Sequence, residues 1–306
     1  MDLLQRVGAG EGEFLLFAIT PPRASTGPER MRAIAEKTLD RLRSVDPDGV
    51  LLYDVAEEGD RNPDQRPFPF LPTVDPATYL AEHFGGWPHP VVVYRSVGKY
   101  SEASLEEWLQ TQPPDRVLSV LVGSSSSRST GLTSLRQAYA LRETVQPDLK
   151  IGAVVIPERH AARGDEHRRM IDKQAAGCSF FVSQILYDVN AAKNLVSDYR
   201  DECDARSIRP RPIAFTLSVC GSAKTLEFLT WLGVQVPPWI QRDLTRSKDT
   251  LESSYDHARA VAHDMLAYCR RLDIPVGLNV ESVSSRRSEI EAAVQLAIEL
   301  RSALRR

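Results

Sequence analysis

Eight apolar runs of strand length recur along the chain, each followed by a segment of helical periodicity, and few architectures accept that pattern. The runs are Glu13–Ile19, Gly49–Val55, Pro90–Arg95, Arg116–Val122, Lys150–Ile156, Ser179–Leu186, Pro212–Ser218 and Pro275–Glu281. Most are continuously hydrophobic rather than alternating, as strands covered on both faces of a parallel sheet must be. The first helix reads from a capping box, Thr26-Gly27-Pro28-Glu29, into the stripe Met31, Ile34, Ala35, Leu39 and Leu42. Ile290, Ala293, Val294, Ala297, Ile298 and Leu304 repeat that spacing near the end, and Leu232–Ser247 is an extra stretch between the seventh and eighth runs. With neither linker nor repeat in 306 residues, the economical closure is an α/β fold, a single (β/α)8 TIM barrel over residues 1–306. An open doubly wound sheet would want GxGxxG directly after a strand. The cluster Gly8-Ala9-Gly10-Glu11-Gly12 precedes the first run instead and reads as a flexible lead-in.

Composition narrows the function classes. At 42% hydrophobic and 26% charged, the chain is neither disordered nor fibrous, and a net charge of −3 argues against a nucleic-acid partner. No apolar run approaches the roughly 18 residues of a membrane span, and Met1-Asp2-Leu3-Leu4-Gln5-Arg6 has no apolar signal core. Cys178, Cys203, Cys220 and Cys269 are scattered without a CxxC, which fits free thiols and no zinc site. The expectation is a cytoplasmic protein with no membrane, nucleic-acid or metal partner; its oligomeric state is left open.

Barrel enzymes work at the C-terminal ends of their strands. That rule makes candidates of Thr20-Pro21-Pro22-Arg23, Asp54, Arg95, Ser124-Ser125, Glu158-Arg159-His160, Gln184, Tyr187-Asp188, Ser218 and Glu281. They mix acids, amides, hydroxyls and guanidinium groups, with no metal-like grouping and no nucleophile elbow. Asp188 also suits the N-cap of a helix opening at Val189-Asn190-Ala191-Ala192.

Four segments resemble one family. Phe17-Ala18-Ile19-Thr20-Pro21-Pro22-Arg23 is similar to the F-E-F-x-P-P-R of the methylenetetrahydrofolate reductase family, and Ile156-Pro157-Glu158-Arg159-His160 to its P-E-x-H segment. Lys173 through Asp188 resembles K-x-x-A-G-A-x-x-x-x-T-Q-x-F-F-D, and Gly233-Val234-Gln235-Val236-Pro237-Pro238-Trp239 resembles G-V-x-I-P-x-W. The resemblance implies the same barrel and the reduction of 5,10-methylenetetrahydrofolate to 5-methyltetrahydrofolate, with FAD relaying hydride from NADH or NADPH. It also implies that Gln184 contacts the pterin, a task suited to an amide that donates and accepts at once. Thr20, Tyr187 and Glu281 are the expected folate contacts beside it.

The departures fall on the chemistry. The first-strand glutamate, the family's acid, is Ala18 here, and the aspartate of the fourth-strand R-G-D is Ser124. Ile156, Arg95 and Asp172 replace a tyrosine, a histidine and an arginine near the flavin, and Asp172 would repel a diphosphate. Lys173 and His160 keep their places, although a surface histidine explains His160 equally well. Tight FAD binding is therefore expected to be lost, with NADH or NADPH in the vacated site near Ser124, Ser125, Glu158, His160, Lys173 and Arg95. Glu158 reads as a ribose or adenine contact or as a rim ion pair; Ser124-Ser125, ahead of a helix expected to begin near Thr130, reads as an anion grip or a plain turn. The missing acid is expected at the second strand end, in Asp54, with Glu57 and Glu58 nearby. Phe68-Pro69-Phe70-Leu71-Pro72 is either an aromatic lid or a pinned loop. The alternative function is a barrel that binds a folate or another heterocycle and has lost the reductase step. A non-catalytic subunit would need an exposed apolar surface, for which Trp231, Leu232, Val234, Val236, Pro237 and Trp239 are candidates.

Overall fold

The computed structural model describes residues 1–56, 64–123 and 132–304. Eight parallel strands close into a barrel in chain order: β1 (Leu15–Ile19), β2 (Gly49–Leu52), β3 (Val91–Ser96), β4 (Val117–Val122), β5 (Ile151–Val155), β6 (Cys178–Ile185), β7 (Ile213–Ser218) and β8 (Val276–Glu281). Each expected run carries one strand; six are shorter than the run by one to three residues, β3 is shifted by one residue toward the C-terminus and β6 by one toward the N-terminus. β1 pairs with both β2 and β8, which completes the ring.

The helices fall where the periodic segments lie. α1 (Leu3–Ala9) precedes β1, α2 (Pro28–Val45) follows it, and α3 (Pro76–His83) follows β2. Then come α4 (Glu102–Thr111), α5 (Leu135–Val145), α6 (Pro157–Arg163), α7 (Glu166–Ala175) and α8 (Val189–Ala205). α9 (Ala223–Trp231), α10 (Pro238–Arg246) and α11 (Thr250–Arg271) all lie between β7 and β8, and α12 (Arg287–Leu304) ends the chain. None of them is long and apolar enough to cross a membrane.

Strand alternation sorts the core into two shells. Leu15, Phe17, Val91, Val93, Phe181 and Phe215 face the helices, while Leu16, Ala18, Leu51, Val92, Tyr94, Val120, Phe180 and Ala214 fill the barrel interior. Gly152 is required inside: a Cβ there would lie 2.6 Å from the Phe180 ring, and the β5–β6 register shifts at that point.

Three local expectations change. The residues before β1 are not a flexible lead-in; Asp2 and Gln5 form a capping box on α1, and Gly10 ends it in the left-handed region at φ 72°. Leu3, Leu4 and Val7 join the interior cluster, so α1 plugs the N-terminal end of the barrel. The Thr26–Glu29 capping box is also corrected: Gly27 is the N-cap and has no side chain to offer, which leaves Pro28 at the first turn as the start signal. The helix expected to begin near Thr130 begins at Leu135 behind a Ser134–Gln137 capping box; Thr130 itself lies outside the described residues. Asp188 caps α8 as expected, accepting from the N–H groups of Asn190 and Ala191.

Candidate active site

Parallel register places one acid at the middle of the barrel mouth. Glu281, the last residue of β8, is the Cα partner of Ala18 on β1 and of Ser218 on β7. Its carboxylate accepts a hydrogen bond from the Tyr53 hydroxyl, and the Tyr53 ring meets the Tyr94 ring edge-on at 5.0 Å. Glu281 is 6% exposed. Burial pushes its carboxyl up to about 7, against the opposing pull of the Tyr53 hydrogen bond. Tyr53 and Tyr94 are both raised, first by burial and then by the Glu281 charge. Below the acid, Asn279 Nδ2 donates to Thr216 Oγ1 (3.1 Å), which donates to the Ser183 carbonyl (2.7 Å). Asn279 Oδ1 and Ser218 Oγ are buried without a hydrogen-bond partner among the described residues. Orphaned polar atoms of that kind at a mouth are what a polar ligand would satisfy.

Asp54 lies two strand ends away and is already occupied. Oδ1 pairs with Lys99 Nζ (2.5 Å), and Oδ2 accepts from the Ser96 N–H (2.8 Å) and the Tyr100 hydroxyl (3.0 Å). The carboxylate thus ties β2 to the turn after β3. Arg95 does not reach the mouth: it shares the helix-facing side of β3 with Val91 and Val93. Its guanidinium pairs with Asp75 and lies over Trp108 (4.4 Å) and Tyr100 (4.9 Å), which corrects the expected cofactor contact. Burial alone would raise Asp75, but the Arg95 charge and hydrogen bond outweigh it and hold that carboxyl low.

The opposite rim carries the remaining polar groups. Glu158, in the first turn of α6, is 4% exposed, and burial pushes it up to about 7. It leans toward the backbone N–H of Gln235 without a hydrogen bond of normal geometry. Gln184 is half-buried, its amide donating to the Leu232 carbonyl at 3.2 Å. Tyr187 stacks on His257 (5.5 Å, 17°), and His257 meets the exposed Trp239 edge-on at 5.9 Å. Tyr187, Val234 and Val236 belong to an apolar cluster that covers this side of the rim. Thr20 is exposed just beyond β1. Ser124, Ser125, Glu57 and Glu58 lie outside the described residues.

The lid question resolves toward a pinned loop. Arg66 lies 5.0–5.4 Å from the rings of Phe70, Phe228 and Trp231, and Phe68 meets Phe228 edge-on. Arg23 and Thr73 pair as an isolated bridge. Residues 64–75 therefore anchor to α9 and bridge the sector of the rim holding β1 and β8.

The residues that the resemblance would give to FAD do not fit that cofactor. Lys173 Nζ donates to the Val154 carbonyl (2.6 Å) and lies 3.7 Å from the fully buried Glu166, which also takes Arg159. Burial lowers the Lys173 ammonium despite Glu166, so it is a scaffold group rather than a phosphate ligand. Asp172 beside it is exposed. His160 points into the helical layer, where Nε2 pairs with Asp198 on α8 at 3.1 Å. Together with His167 these donors lie within 4.8 Å of one another, a grouping of metal-ligand residue types that sequence spacing did not suggest. It stands on the outer helices α6, α7 and α8.

Sequence reasoning also passed over Tyr53, Tyr94 and Asn279. Their signal was faint: polar tips at inward positions of otherwise apolar strands.

Residues 133–274 match the family model for methylenetetrahydrofolate reductase. An uncharacterized protein from Clostridium thermocellum that binds two copies of 5-methyl-5,6,7,8-tetrahydrofolic acid is 35% identical, with a TM-score of 0.88 over 98% of this chain and 99% of that one. A psychrophilic family 10 endo-β-1,4-xylanase shares the barrel alone, at 9% identity and TM-score 0.50 over 96% and 99% of the two chains. A dihydropteroate synthase from Xanthomonas albilineans, at 11% identity and TM-score 0.48 over 97% and 94%, is too distant to carry an argument. No curated protein matches the sequence. The chain belongs to the methylenetetrahydrofolate reductase family, as a divergent member.

Proposed function

We propose that this protein reduces 5,10-methylenetetrahydrofolate to 5-methyltetrahydrofolate, taking hydride directly from NADH or NADPH without tightly bound FAD. The observation that carries the reading is the full-length relative at 35% identity that binds the 5-methyl folate, the product of that reduction. The orphaned Ser218 Oγ and Asn279 Oδ1 beside a buried carboxyl support a polar heterocycle at the mouth. The engaged Lys173 and the exposed Asp172 support the absence of a held flavin diphosphate. Gln184, Tyr187 and Thr20 are the proposed rim contacts to the folate, and Glu158, with Ser124 and Ser125, the proposed contacts to the nicotinamide nucleotide. A cytoplasmic setting belongs to the same proposal.

The test is anaerobic NADH and NADPH oxidation by the purified, colourless protein with methylenetetrahydrofolate and no added flavin. Folate-dependent turnover supports direct hydride transfer. Turnover only after FAD is added overturns the flavin-independent part. The loss of the family's acid at Ala18 favours a second reading, a folate-binding barrel without the reductase step. Binding of 5-methyltetrahydrofolate without turnover in either condition would select it.

A further inference from the structure

The family's acid stands on β1, where this chain has alanine, and an alanine cannot transfer a proton. The barrel register shows what lies next to that gap. Ala18 and Glu281 are Cα partners on adjacent strands, and both positions lie on the interior side of the barrel. Adjacent strands are about 4.8 Å apart, so a side chain as long as glutamate on β8 reaches the space that a β1 side chain would fill. Two carboxyls in register there would repel one another, and one small residue beside one acid avoids that conflict. Ser218, the other Cα partner of Glu281, is small and uncharged.

We infer that Glu281, oriented by the Tyr53 hydroxyl, is the proton donor of the folate reduction, the acid having moved from β1 to the neighbouring strand. This rests on the reductase reading above. In the step, N10 of the folate takes the Glu281 proton as the bond from the methylene carbon to N10 breaks, its electron pair staying on N10. The nicotinamide hydride then adds to the methylene carbon, leaving a methyl group on N5 and the oxidised dinucleotide. The Glu281 carboxylate recovers its proton from water.

The surroundings suit a proton donor. The titratable groups facing Glu281 are Tyr53 just beyond β2 and Tyr94 on β3, both neutral; Asn279 and Ser218 flank it without charge. No cation pairs with it among the described residues, so burial keeps the acid protonated near neutrality. Asp54 contrasts in its surroundings, since Lys99, the Ser96 N–H and the Tyr100 hydroxyl already occupy its carboxylate oxygens. Tyr53 is a positioning residue, because its hydrogen bond favours the ionised form and sets the direction of the carboxyl.

The test compares wild type, Glu281→Gln, Tyr53→Phe, Asp54→Asn and the double variant Ala18→Glu/Glu281→Gln. Each is assayed for anaerobic single-turnover NADH oxidation with methylenetetrahydrofolate and for equilibrium binding of 5-methyltetrahydrofolate. Glu281→Gln should lose about a hundredfold or more in rate while keeping its folate affinity and fold. The wild-type rate should fall as pH rises through about 7, and in Tyr53→Phe that limb should move upward, a shift that a purely structural role would not produce. The double variant should recover part of the rate by returning the acid to β1. Wild type that binds the folate but does not turn over would sink the reductase reading itself. Wild type that turns over, with Glu281→Gln equally fast or losing affinity in step with rate, would overturn the Glu281 assignment alone. A pH limb abolished in Asp54→Asn but kept in Glu281→Gln would give the role to Asp54.

Discussion

A buried acid held protonated for catalysis should leave a mark on folding that needs no substrate. Glu281 has a carboxyl pushed to about 7 in the folded chain, against 4.5 for an ordinary glutamate. Each unit of such a difference is worth about 1.4 kcal/mol. The folded state therefore binds more protons than the unfolded state between those two values, and stability falls as pH rises across that window. The full effect is about 3 kcal/mol, an upper figure because water can penetrate around a charged carboxylate. Glutamine keeps the shape and can still accept the Tyr53 hydrogen bond, but it cannot ionise. Glu281→Gln should match wild type in stability near pH 4.5 and exceed it progressively, by up to about 3 kcal/mol near pH 8. Urea unfolding of both proteins at several pH values measures this. Taking the difference between them cancels Glu158, which titrates over the same range in each. A difference that stays constant between about pH 5 and pH 8 would mean that Glu281 is ionised at neutrality, and the proton-donor argument would lose its physical basis.

Two further outcomes check the scaffold around the site. Gly152→Ala should cost about 1–3 kcal/mol in urea unfolding, because its Cβ meets the Phe180 ring at 2.6 Å inside the closed barrel; an unchanged midpoint would mean that β5 and β6 can part there freely. Arg95→Ala should cost about 2–3 kcal/mol, since it strips Asp75 of its cation and Trp108 and Tyr100 of their stacking partner; a neutral result would contradict the buried role assigned to it.

How much was legible in the sequence depends on the range of the interaction. The strands were readable because both faces of each are covered, so a continuous apolar run suffices to locate them. The Asp188 cap was readable because its partners, Asn190 and Ala191, are two and three residues away. α1 carries its own local signals, a capping box at Asp2 and Gln5 and the apolar Leu3, Leu4 and Val7, but the glycines beyond it make the segment read as flexible. His160 reads as a strand-end residue but lies on α6, where packing between helices brings Asp198 of α8 onto it, while Lys173 meets Glu166 two turns away on the same helix, α7. The same gap made Asp54 attractive: a strand-end carboxylate looks free until the turn after β3 brings Lys99, Ser96 and Tyr100 onto it.

The acid shows where such reading stops and why. Comparing motifs strand by strand registers Ala18 as a loss, because it asks what each strand carries on its own. A closed barrel presents its chemistry as a ring, in which the first and last strands are neighbours although Ala18 and Glu281 are 263 positions apart in the chain. Nothing local in either segment encodes that adjacency; it follows from closure, and from a register that pairs β1 with β8 residue for residue. A residue missing from one strand of a barrel is therefore a functional loss only when the two neighbouring strands also lack it. In this chain one neighbour, β8, supplies a buried carboxyl at the matching level.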